Sequence, residues 1–98
     1  MLGGMSPVHL SGHLRCKNSA EADLVAQYLP KHIELTLAEP GCVSFEVTPT
    51  ESPLVWRVEE HFADSDAFRT HQARVVASEW GTMTSEIARD YTVTGLTE

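Results

Sequence analysis

The sequence predicts a single α+β domain in which one antiparallel sheet packs against helices. Four short segments alternate apolar with polar residues, two longer segments have helical periodicity, and the elements follow in the order strand, helix, strand, strand, helix, strand. A chain of 98 residues is long enough for one hydrophobic core. With short loops, this order favours a ferredoxin-like βαββαβ fold with strand order 4-1-3-2 and both helices on one face of the sheet.

Alternation of apolar and polar side chains defines the predicted strands, which span residues 8–16, 42–48, 54–62 and 87–93. In the second strand, Val43, Phe45 and Val47 share one face. In the third, Glu60 lies on a face that is otherwise apolar. Burial of an unpaired charge is costly, so this carboxylate needs a partner, a wet pocket or a shifted pKa.

The first predicted helix, residues 19–37, carries a histidine on its buried side. Asn18 precedes it and Glu21 follows three positions later, a pattern typical of a helix N-terminus. Its apolar side chains cover one broad arc, and His32 falls inside that arc. A buried histidine is therefore expected on this helix.

The second predicted helix, residues 65–77, places His71 at the centre of its apolar stripe. The stretch from residue 78 to residue 85 is ambiguous and is interpreted as a short helical turn that packs Trp80. His71 and Glu60 are thus two ionisable residues on faces that should be apolar.

The ends and the cysteines set further expectations. Residues 1–7 lack periodicity, so we expect a flexible extension before a single domain at residues 8–98. Cys16 and Cys42 lie on parallel strands separated by a third strand, beyond the ~7 Å limit for a disulfide. Free thiols, together with the lack of a long apolar stretch or a basic leader, indicate a cytoplasmic protein.

Net charge limits the classes of partner. A formal charge of -7 repels phosphate groups, so neither nucleic acid nor a membrane surface is an expected partner.

On the polar face of the sheet, His9 and His13 are too far apart to share a metal, and His9 with His61 supplies at most two ligands. We expect no metal site, and we interpret this face as a wet dimer interface.

Several short motifs together resemble the antibiotic biosynthesis monooxygenase superfamily over about residues 8–94. That family has a helix histidine, a Glu-Pro-Gly-Cys turn into a strand with an aromatic residue, a strand glutamate and a second helix histidine. The matching residues are His32, Glu39, Pro40, Gly41, Cys42, Phe45, Glu60 and His71.

The resemblance implies a homodimer of ferredoxin-like subunits joined through their sheets, a dimeric α+β barrel, with a cavity between sheet and helices in each subunit. Members include cofactor-independent oxygenases of quinols and polyketide anthrones, haem-degrading proteins, isomerases of small phosphorylated sugars and proteins without known activity. The Asn and Trp pattern of the haem degraders is not evident here, so no haem or other cofactor is expected.

Oxygenation without a cofactor requires the substrate to supply the electrons, which a deprotonated phenol or enol can do. His71 is the candidate base because an ordinary imidazole pKa lies near neutral pH, and Glu60 is the candidate partner that orients it. The alternative is a purely structural hydrogen bond that fastens the second helix to the third strand. Glu39, beside Pro40, is interpreted as a turn residue rather than an acid catalyst.

Other candidate residues would bind the substrate. His32 could donate or accept a hydrogen bond with a substrate oxygen, although a satisfied core histidine is an equal alternative. Aromatic side chains could stack on a flat substrate, with ordinary core packing as the alternative for each. These aromatic candidates are Phe45, Trp56, Phe68 and Trp80.

The sequence therefore predicts a cofactor-independent monooxygenase that oxidises a small quinol or polyketide-type aromatic compound with O2. The two competing hypotheses are an isomerase or lyase acting on a small oxo compound, and a non-catalytic module that binds a small molecule.

Overall fold

The computed structural model describes residues 6–97, and its elements follow the predicted order with one short helix added. The elements are β1 Val8–Arg15, α1 Ser19–Leu37, β2 Cys42–Pro49, β3 Val55–Phe62, α2 Ser65–Val76, α3 Glu79–Met83 and β4 Ala88–Thr94. The ambiguous stretch before β4 contains α3, on which Trp80 is buried. Most of the expected N-terminal extension lies outside the described residues.

The strands form one antiparallel sheet in the order β2-β3-β1-β4. This arrangement confirms the predicted ferredoxin-like topology. β1 and β2 flank β3, and Cys16 and Cys42 are both free thiols, as expected. Within residues 6–97, no helix combines the length and apolarity needed to cross a membrane.

One face of the sheet packs against all three helices and forms the core. The register aligns Leu10 of β1 with Glu60 of β3, so Glu60 faces the helices among apolar neighbours, as its position in the alternation predicts. The helices contribute buried side chains to the same cluster, including Val25, Phe68 and Trp80. The core therefore lies between the sheet and the helices, and Glu60 lies within it.

A β-bulge near the start of β2 changes which side chains face the core. Cys42 pairs with Phe62, but Ser44 pairs with His61, so Val43 is an extra residue without a partner in this register. The side chain of Val43 is 68% exposed, and its predicted place on the apolar face is wrong. Phe45 is nonetheless buried on the core face. Simple alternation cannot reveal an inserted residue.

The opposite face of the sheet, called the open face, is polar. His9 lies directly opposite His61, as expected, and the two rings stack at 4.2 Å. Glu59 accepts hydrogen bonds from Ser11 at 2.7 Å and from Arg57, and lies 2.8 Å from the His9 ring. Among residues 6–97, no group of three or more His, Cys, Asp or Glu side chains could hold a metal ion.

Candidate functional site

A cavity of about 180 Å3 lies between the core face of the sheet and the helices. His32 from α1, Glu60 from β3 and His71 from α2 all line it, together with the aromatic rings of Phe45 and Trp80. The fold thus brings together the three ionisable residues that the sequence singles out, although they come from different elements.

Two predicted substrate-binding aromatics do not line this cavity. Phe68 packs edge-on against Phe62 in the core, with ring centres 5.7 Å apart. Trp56 is partly buried at the margin of the core. Both side chains contribute to the packing of the domain rather than to the wall of the cavity.

The local structure of α2 fixes where His71 points. Asp64 caps the helix by accepting a hydrogen bond from the Ala67 amide at 2.8 Å. From this start, helical periodicity places Phe68, His71 and Val75 on the side that faces the sheet. The His71 side chain is 2% exposed, so its polar atoms must find partners inside the protein or in the cavity.

The closest partner of His71 is Glu39, not Glu60. His71 Nδ1 lies 3.0 Å from Glu39 Oε1, which is hydrogen-bond distance. His71 Nε2 lies 3.8 Å from Glu60 Oε1, which is too far for a direct hydrogen bond. The carboxylate in contact with the ring therefore belongs to Glu39, for which the sequence alone predicts only a place in a turn.

Glu39 is itself held in place by Arg74 of α2, which also contacts α1. Arg74 Nε donates to Glu39 Oε2, and Arg74 Nη2 donates to Thr36 Oγ1 at 2.9 Å. The Thr36 hydroxyl donates in turn to the main-chain carbonyl of His32 at 2.8 Å. These contacts connect the end of α1, the turn before β2 and the middle of α2 in one network.

Glu60 is a buried carboxyl group with an unsatisfied oxygen. Its side chain is 8% exposed, and Oε1 has no hydrogen-bond partner among the described residues. Burial raises the pKa of Glu60 to about 7, and the nearby Glu39 carboxylate adds to this shift, while Arg89 opposes it. Glu60 therefore exchanges a proton near neutral pH.

The two cavity histidines are held neutral. Burial, together with the neighbouring His71 ring and the charge of Arg74, lowers the pKa of His32 to about 3. The His32 ring stacks on Trp80 at 4.8 Å, and its Nδ1 has no partner among the described residues. Burial also lowers the pKa of His71, against the opposing effect of Glu39. A neutral imidazole can accept a proton, which a base requires.

Two further polar residues of the cavity, Arg89 and Tyr91, were not singled out from the sequence. Both lie on the core-facing side of β4. Arg89 Nη1 donates to the carbonyls of Thr84 and Ile87, and burial raises the pKa of Tyr91 to about 12. An arginine on the apolar face of a strand is the same kind of signal that Glu60 provides. This signal marks Arg89 as a candidate site residue in the sequence.

The arrangement supplies a neutral base, a carboxyl group that titrates near pH 7 and aromatic surfaces in one small cavity. Such a set can remove a proton from a bound molecule and return one to it.

The model of the antibiotic biosynthesis monooxygenase family matches residues 7–81. The chain belongs to this family. The matched segment includes Glu39, Glu60 and His71, and it ends before Arg89 and Tyr91.

Solved structures share the fold of this family member. SnoaB, a cofactor-independent oxygenase from Streptomyces nogalater, is 14% identical, with a TM-score of 0.72 and coverage of 95% of each chain. A candidate antibiotic biosynthesis monooxygenase from Caulobacter crescentus CB15 is 19% identical, with a TM-score of 0.65 and coverage of 96% of this chain and 92% of its own. A conserved protein from Methanosarcina mazei Go1 is 17% identical, with a TM-score of 0.73 and coverage of 95% of each chain. No curated protein is significantly similar in sequence to this chain.

Proposed function

We propose that this protein is a cofactor-independent monooxygenase that oxidises a small quinol with O2. The observation that carries the proposal is the pair of buried groups on one cavity, His71 Nε2 and the Glu60 carboxyl, 3.8 Å apart. Membership of the monooxygenase family supports the reaction class. The likeness to SnoaB, a cofactor-independent oxygenase, supports chemistry without a bound cofactor.

In the proposed reaction, neutral His71 removes a proton from a quinol hydroxyl at Nε2. The resulting electron-rich anion transfers an electron to O2, and the two radicals combine to form a carbon–oxygen bond. The peroxide on the ring then takes a proton from Glu60. Its oxygen–oxygen bond breaks as the ring carbon that carries it loses its hydrogen as a proton, so that this proton and the departing hydroxide form water and a new carbonyl group remains. The proton held by His71 returns to Glu60. Overall, one hydroquinone and one O2 give one hydroxyquinone and one water.

The size of the cavity favours a substrate with one aromatic ring. A dry engineered cavity of about 150 Å3 accommodates benzene. The cavity here is about 180 Å3, which fits a single ring with its hydroxyl groups better than a tricyclic polyketide anthrone. His32, Phe45 and Trp80 offer flat surfaces against such a ring.

Oxygen consumption with a panel of hydroquinones and anthrones tests the proposal. Replacement of the base, His71→Ala, should lower kcat by about 10²- to 10⁴-fold. Thr70→Ala is the matched control, because Thr70 is exposed and adjacent on the same helix. Uptake that survives His71→Ala would exclude His71 as the base, and faster turnover of anthrones than of one-ring quinols would contradict the size argument.

The same proton-transfer pair would also serve an isomerase or lyase acting on a small oxo compound. Glu60, with a pKa of about 7, is suited to return a proton that His71 removes. Incorporation of deuterium from D2O into an oxo compound without oxygen uptake would favour this alternative. Tight binding of a small aromatic compound without either reaction would favour a binding module.

We further propose a homodimer in the cytoplasm, joined through the open face. The ion pairs of that face and its stacked histidines, His9 and His61, support a polar interface. The two free thiols support a reducing compartment. A sedimentation mass near the 10.8 kDa of one chain at micromolar concentration would contradict the dimer.

A further inference from the structure

We infer that Glu39 is a positioning residue that determines which ring nitrogen of His71 carries the hydrogen. This inference rests on the proposed role of His71 as a base. In it, Glu39 holds the hydrogen on Nδ1, so that the free electron pair on Nε2 faces the cavity.

The first step of the argument is the geometry of the contact. His71 Nδ1 lies 3.0 Å from Glu39 Oε1 and 3.3 Å from Oε2, and both side chains are largely buried. Glu39 comes 32 positions before His71 in the chain, so the contact depends on the fold rather than on local structure. Ionised carboxylates only accept hydrogen bonds, so the ring nitrogen in contact must be the donor.

The second step is the role of Arg74. An arginine side chain has donors only and remains charged in proteins, and Arg74 Nε donates to the other oxygen of Glu39. This contact fixes the plane of the carboxylate. With one oxygen held by Arg74, the other is directed at His71 Nδ1.

The third step concerns Nε2, the nitrogen on the far side of the ring. It points towards Glu60, but the distance of 3.8 Å leaves no direct hydrogen bond. A neutral ring with its hydrogen on Nδ1 has its only electron pair available for protonation on Nε2. The contact with Glu39 thus makes the cavity-facing atom the basic one.

The other charged or titratable groups near His71 cannot replace Glu39 in this role. Arg74 offers only donors, and His32, on α1, has its ring centre 5.9 Å away. Glu60, on β3, faces the opposite nitrogen of the ring. The charge of Arg89, on β4, lowers the pKa values of Glu60 and His32 in the cavity. Among the described residues, Glu39 is the carboxylate within hydrogen-bond distance of Nδ1.

The variant Glu39→Gln tests the inference because an amide has one accepting and one donating end. Arg74 can only donate, so it takes the amide oxygen and leaves the NH2 group facing His71 Nδ1. The ring must then accept at Nδ1 and carry its hydrogen on Nε2. The variant keeps the shape of the side chain while reversing the tautomer.

The decisive measurement is the ¹⁵N NMR spectrum of the His71 ring at a pH where the ring is neutral. We expect hydrogen on Nδ1 in the wild type and in Glu39→Asp, and hydrogen on Nε2 in Glu39→Gln. Glu34→Gln is the matched control for the loss of one carboxylate, because Glu34 is exposed and pairs with Lys31. Hydrogen on Nε2 in the wild type, or an unchanged tautomer in folded Glu39→Gln, would overturn the inference.

Kinetics provide a second readout. A wrong histidine tautomer lowers kcat by up to about 10⁴-fold where it has been measured in a hydrolase. Glu39→Gln should therefore lower kcat by about 10²- to 10⁴-fold with KM little changed, and Glu39→Asp should restore much of the rate. If no quinol or anthrone supports oxygen uptake, the proposed function fails, but the NMR measurement still decides the role of Glu39. The wild-type spectrum alone also decides it should Glu39→Gln not fold.

Discussion

Replacement of Glu60 with glutamine should stabilise the protein at alkaline pH while it removes the proposed acid. The pKa of Glu60 is raised from an ordinary value of 4.5 to about 7, mainly because the carboxyl group is buried. In the unfolded chain the group ionises above pH 4.5, whereas in the folded protein it holds its proton until about pH 7. The stability that this proton provides is complete at pH values below the pKa of the unfolded state, 4.5. It is lost as the pH rises through the pKa of the folded state, about 7.

The magnitude follows from the size of the shift. One pKa unit corresponds to about 1.4 kcal/mol, so the ionised carboxylate costs on the order of 3 kcal/mol well above pH 7. Between pH 5 and pH 9, wild-type protein should therefore lose about 2 to 3 kcal/mol of unfolding free energy relative to Glu60→Gln. Glutamine has a similar shape and no charge, so it removes this pH dependence.

Urea unfolding at pH 5, 7 and 9, at one protein concentration, measures the difference between the two proteins. Glu59→Gln is the matched control, since Glu59 is adjacent on β3 but on the open face. Hydrogen bonds from Ser11, His9 and Arg57 lower the pKa of Glu59 to about 2. The contribution of Glu59 to the unfolding free energy therefore changes mainly below pH 5. Between pH 5 and pH 9, the unfolding free energy of Glu59→Gln should depend on pH as it does in the wild type. Unfolding free energies that change with pH in the same way in wild type and Glu60→Gln would refute this prediction.

Three further changes test other parts of the structure. Because the pKa of His32 is lowered to about 3, wild-type protein should lose roughly 2 to 3 kcal/mol of unfolding free energy relative to His32→Asn between pH 6 and pH 4 in acid titrations. Gly12→Ala should destabilise the fold by about 1 to 3 kcal/mol in urea unfolding, because its Cβ would lie 2.0 Å from the Asp90 carbonyl oxygen. Asn18→Ala should cost about 1 kcal/mol in the same assay, because Asn18 caps α1 through the Glu21 amide at 3.0 Å; an unchanged midpoint would contradict the capping role.

The predicted fold depends on signals that are local in the sequence. The alternation of the strands, the periodicity of the helices and the short loops admit few topologies, and the sheet order β2-β3-β1-β4 is one that they favour. The cap at Asn18 was also predictable, since its residues are neighbours in the chain. The bulge at Val43 was not predictable, because the alternation of apolar and polar residues along a strand does not reveal an inserted residue.

The candidate site was predictable as a location and only partly as a set of contacts. Glu60 and His71 stood out because ionisable groups are rare on apolar faces, and both line the cavity. Trp56 and Phe68 satisfied the same apolar patterns but lie outside it. Periodicity assigns a side chain to a face of its element, and the position along that face depends on how elements pack.

By itself, the sequence determined the βαββαβ order, the burial of His32, Glu60 and His71, and the resemblance to the monooxygenase family that the family model confirms. Only the tertiary structure decided the partner of the base. Packing of α2 against the turn before β2 places Glu39 on His71 Nδ1 and leaves Glu60 3.8 Å from Nε2. The physical reason is that hydrogen bonds require separations of about 3 Å, and such distances between residues far apart in the chain are set by the packing of whole elements.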